Sequence, residues 1–338
     1  MPATTPDAIL DLARVFMESR VLLTAVELDV FTVLASRTMT AGEVAAALGT
    51  DVRGTTTLLD ALAAIGLLEK DHGSFSCPPA AAAVLSRESP ASAVPMLAHS
   101  AALWRRWSAL TDVVRHGRPA QPPEPQQRER DREAFIGAMH TIGARMAAEV
   151  VAAVQPGDAA RLLDVGGASG TYTQAFLEAC PTMRATLFDL PQVVEAARRR
   201  LAPTGVVDRV AFVAGDFDRD ELPRGHDLAL LSAIIHQNGA EQNVELFRKV
   251  RRALLPGGRL VIRDHVMSAD HTRPARGALF AVNMLVGTQG GGTYSFAEIR
   301  GGLESAGFTN VRLLQADERM TGLVEAFTPI SEATLPEP

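Results

Sequence analysis

The stretch RLLDVGGASGTYTQAFLEACP, residues 161–181, constrains what this chain can fold into more than any other. An apolar run ends in Asp164, a glycine-rich turn follows, and a helical pattern begins at Thr171. About twenty residues on, ATLFDL (185–190) is a second apolar run that ends in an acid, Asp189. Strand, glycine turn, helix, strand and acid together describe a nucleotide-type ligand site at the switch point of a parallel sheet.

The rest of the carboxy-terminal half agrees. Beyond Gly157, strand-like runs at 161–165, 185–189, 210–214, 227–232, 259–264, 310–314 and 322–327 alternate with helical periodicity at 171–180, 191–201, 240–254 and 295–306. Such alternation predicts an α/β fold, a doubly wound sheet covered on both faces.

The amino-terminal part reads as helices. Ile9, Leu12, Phe16, Leu22, Leu23, Val26, Val30, Phe31 and Leu34 recur at helical spacing over 8–34. Thr40-Ala-Gly-Glu43 is a capping box that starts a helix ending at Leu48. Thr50 or Asp51 caps the next, which carries Leu58, Leu59, Leu62 and Ile65 and stops at Gly66. LLEKDHGSFSCP (67–78) then reads as two short strands around a His-Gly turn, which completes a winged-helix layout. DNA binding is not expected of it. The helix before the wing has one basic residue, Arg53, and residues 1–100 hold six Lys/Arg against eleven Asp/Glu. A scaffold that buries apolar helix surface against a partner fits better. GRPAQPPEPQQRERDRE (117–133) reads as a linker or exposed loop, with a helix resuming near Ala134. The expected domains are therefore 1–116 and 134–338, joined by 117–133.

The glycine spacing narrows the ligand. Gly166-Gly167-Ala168-Ser169-Gly170 does not satisfy the dinucleotide pattern G-x-G-x-x-G. The D-x-G-x-x-x-G form resembles motif I of class I S-adenosylmethionine (SAM) methyltransferases, whose ligand carries no pyrophosphate. Asp189 is placed to accept hydrogen bonds from ribose hydroxyls. In VAGDFD (213–218), Asp216 suits the adenine amino group and Phe217 the face of its ring. Gly166, Gly170, Asp189, Asp216, Phe217 and Ser232 are the expected SAM contacts.

Nearly the whole chain resembles the small-molecule O-methyltransferases that carry an amino-terminal dimerisation winged helix, a group including plant phenolic and bacterial polyketide-tailoring enzymes. The resemblance runs through SRVLLTAVELDVF (19–31), LLDALAAIGLLEK (58–70), LLDVGGASG, FDLPQVVEAA (188–197), GDF (215–217), LLPGGRLVIRDHV (254–266), GGTYSFAEI (291–299), LESAGF (303–308) and LVEAF (323–327). It implies a class I methyltransferase, Rossmann-like sheet, mostly parallel with the last strand antiparallel, and a homodimer formed through the amino-terminal domain. It also implies SAM as cofactor, S-adenosyl-L-homocysteine (SAH) as its product, and a small aromatic or polyketide-like hydroxyl acceptor.

The family's catalytic histidine sits in a motif usually reading V-L-H-D-W. Here AIIHQNG (233–239) places His236 at that position, with Gln237-Asn238 for the usual Asp-Trp. Of the two acids that orient it, the resemblance assigns one to Asp264, where Glu is usual. Thr293 stands where the second acid belongs. A sulfonium methyl is already activated, so the protein supplies in-line positioning and takes the acceptor's proton. With the second acid absent, three explanations compete. The acceptor is acidic enough to need little help, or it is carbon, or bound SAM serves another reaction. A non-catalytic, SAM-sensing winged-helix regulator is a further reading, which the acidic charge balance disfavours.

On the substrate side, the resemblance points to Met284 and Thr288 in MLVGTQGGG (284–292), and to Phe135, Met139 and His140 on the helix after the linker. Met and Phe at helical spacing are most often core. Trp104 and Trp107 are expected to pack the two domains together. His265 follows Asp264 and, by strand alternation, should point to the opposite face. No histidine pair has metal spacing and the two cysteines, Cys77 and Cys180, lack metal or redox spacing, so no metal is expected and a reducing compartment fits. The net charge of −6 argues against a nucleic-acid partner. The absence of an 18-residue apolar run argues against a membrane span, and no signal peptide is visible; a cytoplasmic location is expected.

Overall fold

The computed structural model describes residues 5–119, 121–316 and 320–330. The chain divides into two compact units, Met1–Arg105 with Pro123–Thr141, and Arg106–Pro122 with Ile142–Pro338. The outermost ends of the two expected domains, 1–4 and 331–338, lie outside the described residues.

In the first unit the single helix expected over 8–34 is three: Pro6–Arg14, Phe16–Glu27 and Val30–Leu34. The last break falls at Asp29, whose φ of 66° is left-handed. Its carboxylate accepts from Thr32 Oγ1 at 2.7 Å and Arg87 Nε at 2.9 Å, contacts that hold the residue in that strained conformation. The next helices, Ala41–Leu48 and Val52–Ala64, start at the caps read from sequence. Thr40 and Glu43 form the capping box, and Asp51 accepts from the Gly54 N–H at 2.7 Å. Strands Glu69–Asp71 and Ser74–Ser76 pair antiparallel, and a third, unforeseen strand, Met39–Thr40, joins the latter. Phe31, Leu34, Val44, Leu59, Leu62 and Phe75 form the core beneath.

The expected linker is half helix. A 30-residue helix, α1, runs Pro125–Val154. Proline is tolerated at a first helical position because its missing N–H would have no partner there, and QQRERDRE is built of strong helix formers. Proline and charge thus resembled a linker while specifying a helix start. Asp131 anchors it, accepting from Arg105 Nη2 at 2.5 Å and Gln127 Nε2 at 2.8 Å.

The second unit holds a seven-stranded sheet: β1 (Arg161–Val165), β2 (Arg184–Asp189), β3 (Val210–Ala214), β4 (His226–Ser232), β5 (Leu254–Asp264), β6 (Thr309–Gln315) and β7 (Gly322–Phe327). Their order is β6-β7-β5-β4-β1-β2-β3. β7 pairs antiparallel with β5 and β6, while β1 to β5 pair in parallel. This is the expected mostly parallel sheet with its last strand reversed. The strand order turns back between β1 and β4, so a crevice opens at their carboxyl ends.

Helices α2 (Thr171–Ala179), α3 (Pro191–Leu201), α4 (Ala240–Ala253), α5 (Ala275–Gly287) and α6 (Phe296–Ser305) belong to the same unit. Strand alternation sends Leu163, Val165, Ala229, Leu231 and Ile262 into one core with α4 and α6. Leu162, Leu228, Leu230 and Val261 go into the other, with α2 and the end of α1. Burial on both faces explains the continuous apolar runs, each fully buried Leu or Phe contributing roughly 1.5–3 kcal/mol.

Polar groups appear where these strands end. Asp164 in β1 is buried and accepts from Thr173 Oγ1 at 2.6 Å. Burial, opposed by the Thr173 bond and reinforced by the Asp189 charge, raises its pKa from 3.8 to about 6. The folded chain therefore holds this proton more tightly than the unfolded chain. Stability falls as pH rises from about 4 through 6, and a cost of about 3 kcal/mol stands above that. Asp164→Asn, which keeps an acceptor for Thr173, is expected to be more stable than wild type at pH 7.5 and equal to it near pH 4; urea titrations at both values check this. Gly170, the N-cap of α2, has φ +72°, and a Cβ there would lie 2.7 Å from Leu201 Cδ1. Gly170→Ala is expected to cost at least about 1–2 kcal/mol in the same titration.

Candidate active site

The turn after β1 is fixed by its own backbone and by β2. The Gly166 N–H donates to the Phe188 carbonyl at 2.8 Å, and the Gly170 N–H to Gly167 at 2.8 Å. Asp189, at the end of β2, accepts from the Ala168 N–H at 2.9 Å and from the Leu190 N–H at 2.7 Å. Each oxygen thus keeps a lone pair for a ligand hydroxyl. Burial raises the Asp189 pKa, the two N–H donors opposing it. Phe217 lies beside the turn, its Cε1 3.7 Å from where a Cβ on Gly166 would stand. Asp216 bonds within its own loop, accepting from the Asp218 N–H at 3.0 Å. Ser232, closing β4, accepts from Arg263 Nη1 at 2.9 Å.

Sequence reasoning missed two cations here. Lys249, buried on α4, donates to the Phe217 carbonyl at 2.8 Å and so holds the loop after β3. Arg263, in β5, is buried beside Ser232. Both carried a sequence signal: a charge on the apolar face of α4 beside Leu246 and Val250, and a charge inside the apolar strand LVIRD.

His236 and Asp264, the expected base and its partner, stand just after β4 and at the end of β5. After β4 the chain bends at Ala233, with φ 59°, into the short 3₁₀ turn Ile235–Gln237. This carries His236 inward, where it is 8% exposed. Its Nδ1 is 2.9 Å from both oxygens of Asp264, which is 1% exposed at the end of β5. Burial pushes the Asp264 pKa up, but the His236 charge and hydrogen bond, the His265 N–H and the Arg263 charge outweigh it and hold it below the usual value. The Phe280 ring of α5 meets the imidazole edge-on at 4.8 Å. His265 does not point away as strand alternation suggested. β5 ends at Asp264, and the buried His265 ring lies 5.2 Å from the same Phe280.

A buried polar network fixes this loop. Asn243 on α4 donates to the Ile235 carbonyl at 2.8 Å, Asn238 donates to Asn243 Oδ1 at 3.2 Å, and the Tyr294 hydroxyl donates to the Asn238 carbonyl. Asn238, found where Trp is usual, is thus buried and paired. The Gly292 N–H donates to the His236 carbonyl at 2.9 Å. A Cβ on Gly291 would stand 2.5 Å from that carbonyl oxygen, so no larger residue fits. Thr293 is buried with its hydroxyl unpartnered.

The substrate-side candidates divide between the units. Met284 is buried in α5, and Thr288 caps it, donating to the Met284 carbonyl at 2.8 Å and accepting from the Gly291 N–H at 2.9 Å. Phe135, Met139 and His140 lie on the part of α1 within the first unit, where Phe135 meets His99 edge-on at 5.3 Å. The tryptophans expected to join the domains have partners in their own units. Trp104 stacks at a tilt on Phe16, and Trp107 Nε1 donates to Asn283 at 3.0 Å. Among the described residues no cluster of His, Cys, Asp and Glu could hold a metal ion, and no helix is long and apolar enough to cross a membrane.

Known proteins share this arrangement. The family model of the O-methyltransferase domain matches residues 107–309, and that of the O-methyltransferase dimerisation domain matches residues 10–87. The chain is 34% identical over 315 residues to the tetracenomycin polyketide synthesis 8-O-methyl transferase TcmO of Streptomyces glaucescens, covering 91% of this chain and 92% of that one. It is 34% identical over 318 residues to 3-hydroxy-5-methyl-1-naphthoate 3-O-methyltransferase of Streptomyces sahachiroi, covering 92% and 91%. The crystal structure of human N-acetylserotonin methyltransferase in complex with SAM superposes with a TM-score of 0.82 at 26% identity, over 97% of this chain and all of that one. With both domain families matched in order along one chain, the protein belongs to the SAM-dependent O-methyltransferases.

Proposed function

We propose that the protein methylates a hydroxyl of a small aromatic, polyketide-type molecule, with His236 as general base and Asp264 as its orienting partner. The observation that carries this reading is the buried His236–Asp264 pair, with 2.9 Å from Nδ1 to each carboxylate oxygen. A carboxylate there fixes the tautomer that has its proton on Nδ1 and leaves Nε2 as the acceptor. When bound, SAM supplies a sulfonium methyl that needs no further activation. The chain's own part is to hold the acceptor in line, keep water out and take the hydroxyl proton on Nε2. Asp264 offsets the positive charge that then forms on the ring. Phe280 packs against the imidazole in a T-shaped contact.

The residues suit SAM. Asp189 has lone pairs free for ribose hydroxyls, Phe217 stands beside the glycine turn, and Gly166, Gly170, Asp216 and Ser232 line the same strand ends. The acceptor class follows from relatives named for a polyketide and a hydroxynaphthoate, both O-methylated. Phe135, Met139, His140, Met284 and Thr288 are the proposed acceptor contacts.

We also propose a homodimer. The helix Pro6–Arg14 has no buried residue, and Ile9, Leu12, Phe16 and Met17 stand exposed. The matched dimerisation domain begins at residue 10. A partner copy would cover this stripe. Leu12→Glu with Phe16→Glu is expected to convert a dimer to a monomer in sedimentation equilibrium; a monomeric wild type at micromolar concentration would refute the assignment.

The catalytic reading is tested with labelled SAM and hydroxylated naphthoates or polyketide aromatics. His236→Ala is expected to lower kcat by about 10²–10⁴-fold while SAH affinity, read by calorimetry, stays unchanged. Asp264→Asn is expected to fall between that variant and wild type. Full turnover by His236→Ala would remove the base and favour a carbon acceptor.

A further inference from the structure

Arg263 has no role in the reaction as described so far, and its surroundings are incomplete. It is 3% exposed, in a sheet whose faces are packed mainly by apolar side chains. Its guanidinium donates through Nη1 to Ser232 Oγ at 2.9 Å and lies 5.1 Å over the ring of Tyr172. Among the described residues no carboxylate pairs with it, and Nε is buried with no hydrogen-bond partner. Asp264, next in the chain, turns to His236 on the other face. Asp164, on the same face as Arg263, is bonded to Thr173. Asp264 feels the Arg263 charge but makes no hydrogen bond to it, and a buried guanidinium with an unpaired N–H edge is costly, so such a site is completed by a group that accepts from that edge.

The position says what that is. Ser232 and Arg263 are register partners at the carboxyl ends of β4 and β5. Tyr172 is the second residue of α2, two beyond the Gly166–Gly170 turn. The guanidinium therefore stands at the switch-point crevice, beside the turn assigned to SAM. With Nη1 bound to Ser232, the edge carrying Nε and Nη2 is left. That edge makes two parallel hydrogen bonds to a carboxylate. SAM carries one anionic group, the carboxylate of its amino-acid arm.

We propose that Arg263 is the counter-ion of that carboxylate, with Ser232 and the Tyr172 ring fixing the plane of the guanidinium. The inference rests on the SAM reading above and adds to it the residue that recognises the amino-acid end. The sequence named Ser232 as one of the SAM contacts; on this proposal its part is to position the arginine.

Calorimetry with two ligands tests this on the intact enzyme: SAH, which has the carboxylate, and 5′-methylthioadenosine, which lacks the amino-acid arm. Arg263→Met is expected to weaken SAH by about ten- to a hundredfold and leave methylthioadenosine unchanged. Arg263→Lys should recover part of the SAH affinity. Melting of the ligand-free Arg263→Met variant is expected at or above the wild-type temperature, because a buried guanidinium with an unpaired N–H edge has gone. Equal weakening of both ligands, or a lower melting temperature with SAH affinity intact, would show a purely structural arginine and overturn the proposal. A wild type that binds methylthioadenosine as tightly as SAH overturns the carboxylate assignment alone. A wild type that binds neither overturns the SAM reading and this assignment with it.

Discussion

A parallel sheet buried on both faces carries charge chiefly where its strands end, and that constraint organises this molecule. Leu162, Leu163, Leu230, Leu231, Val261 and Ile262 fill the strand centres without a polar atom. Asp164, Asp189, Ser232, Arg263 and Asp264 all stand within two positions of a carboxyl end. Because β4 and β1 are neighbours and run parallel, these ends converge on one crevice. Alternation then separates two kinds of chemistry. Asp164, Ser232 and Arg263 lie on the face packed by α2, and Asp264 lies on the face packed by α4. The proposed cofactor recognition and the proposed proton transfer thus fall on opposite faces of the sheet at its strand ends, one residue apart at 263 and 264.

What was legible from sequence was what depends on near neighbours. Strand period, the glycine turn, the capping box at Thr40 and the helix cap at Asp51 are local, and each formed where expected. Asp189 was identifiable because a strand-end acid after such a turn has few structural uses. The partners that arrive from far along the chain were not legible. Asn243 reaches Ile235 across a loop, Tyr294 reaches Asn238 over fifty-six positions, and Lys249 reaches Phe217 over thirty-two. His265 was misdirected because alternation applies only while the strand continues, and β5 stops one residue earlier. The helix break at Asp29 depends on Arg87, which no local pattern announces.

The substitutions in the histidine motif have a structural account. Asn238 replaces an aromatic residue, yet it is buried and bonded to Asn243, which in turn holds the carbonyl before His236. A polar network can set a loop as rigidly as an aromatic plug, provided its members are satisfied. Gly292 donates to the carbonyl of His236 itself, and Gly291 packs against it. The histidine is therefore held from its backbone as well as through its ring, and the altered flanking residues do not loosen it.

Thr293 is a different matter, because a hydroxyl cannot replace a negative charge. With one carboxylate facing it, a protonated His236 makes a neutral pair with Asp264; two carboxylates would leave an excess negative charge favouring the imidazolium. The proposed base at His236 thus has one carboxylate to offset the charge it takes up, not two. Such a base suits an acceptor whose hydroxyl gives up its proton readily. A phenol on a fused, conjugated ring system is more acidic than an aliphatic alcohol, because the ring delocalises the charge. The loss of the second acid is therefore physically consistent with the proposed polyketide-type acceptor: the burden of acidity would move from the protein to the substrate.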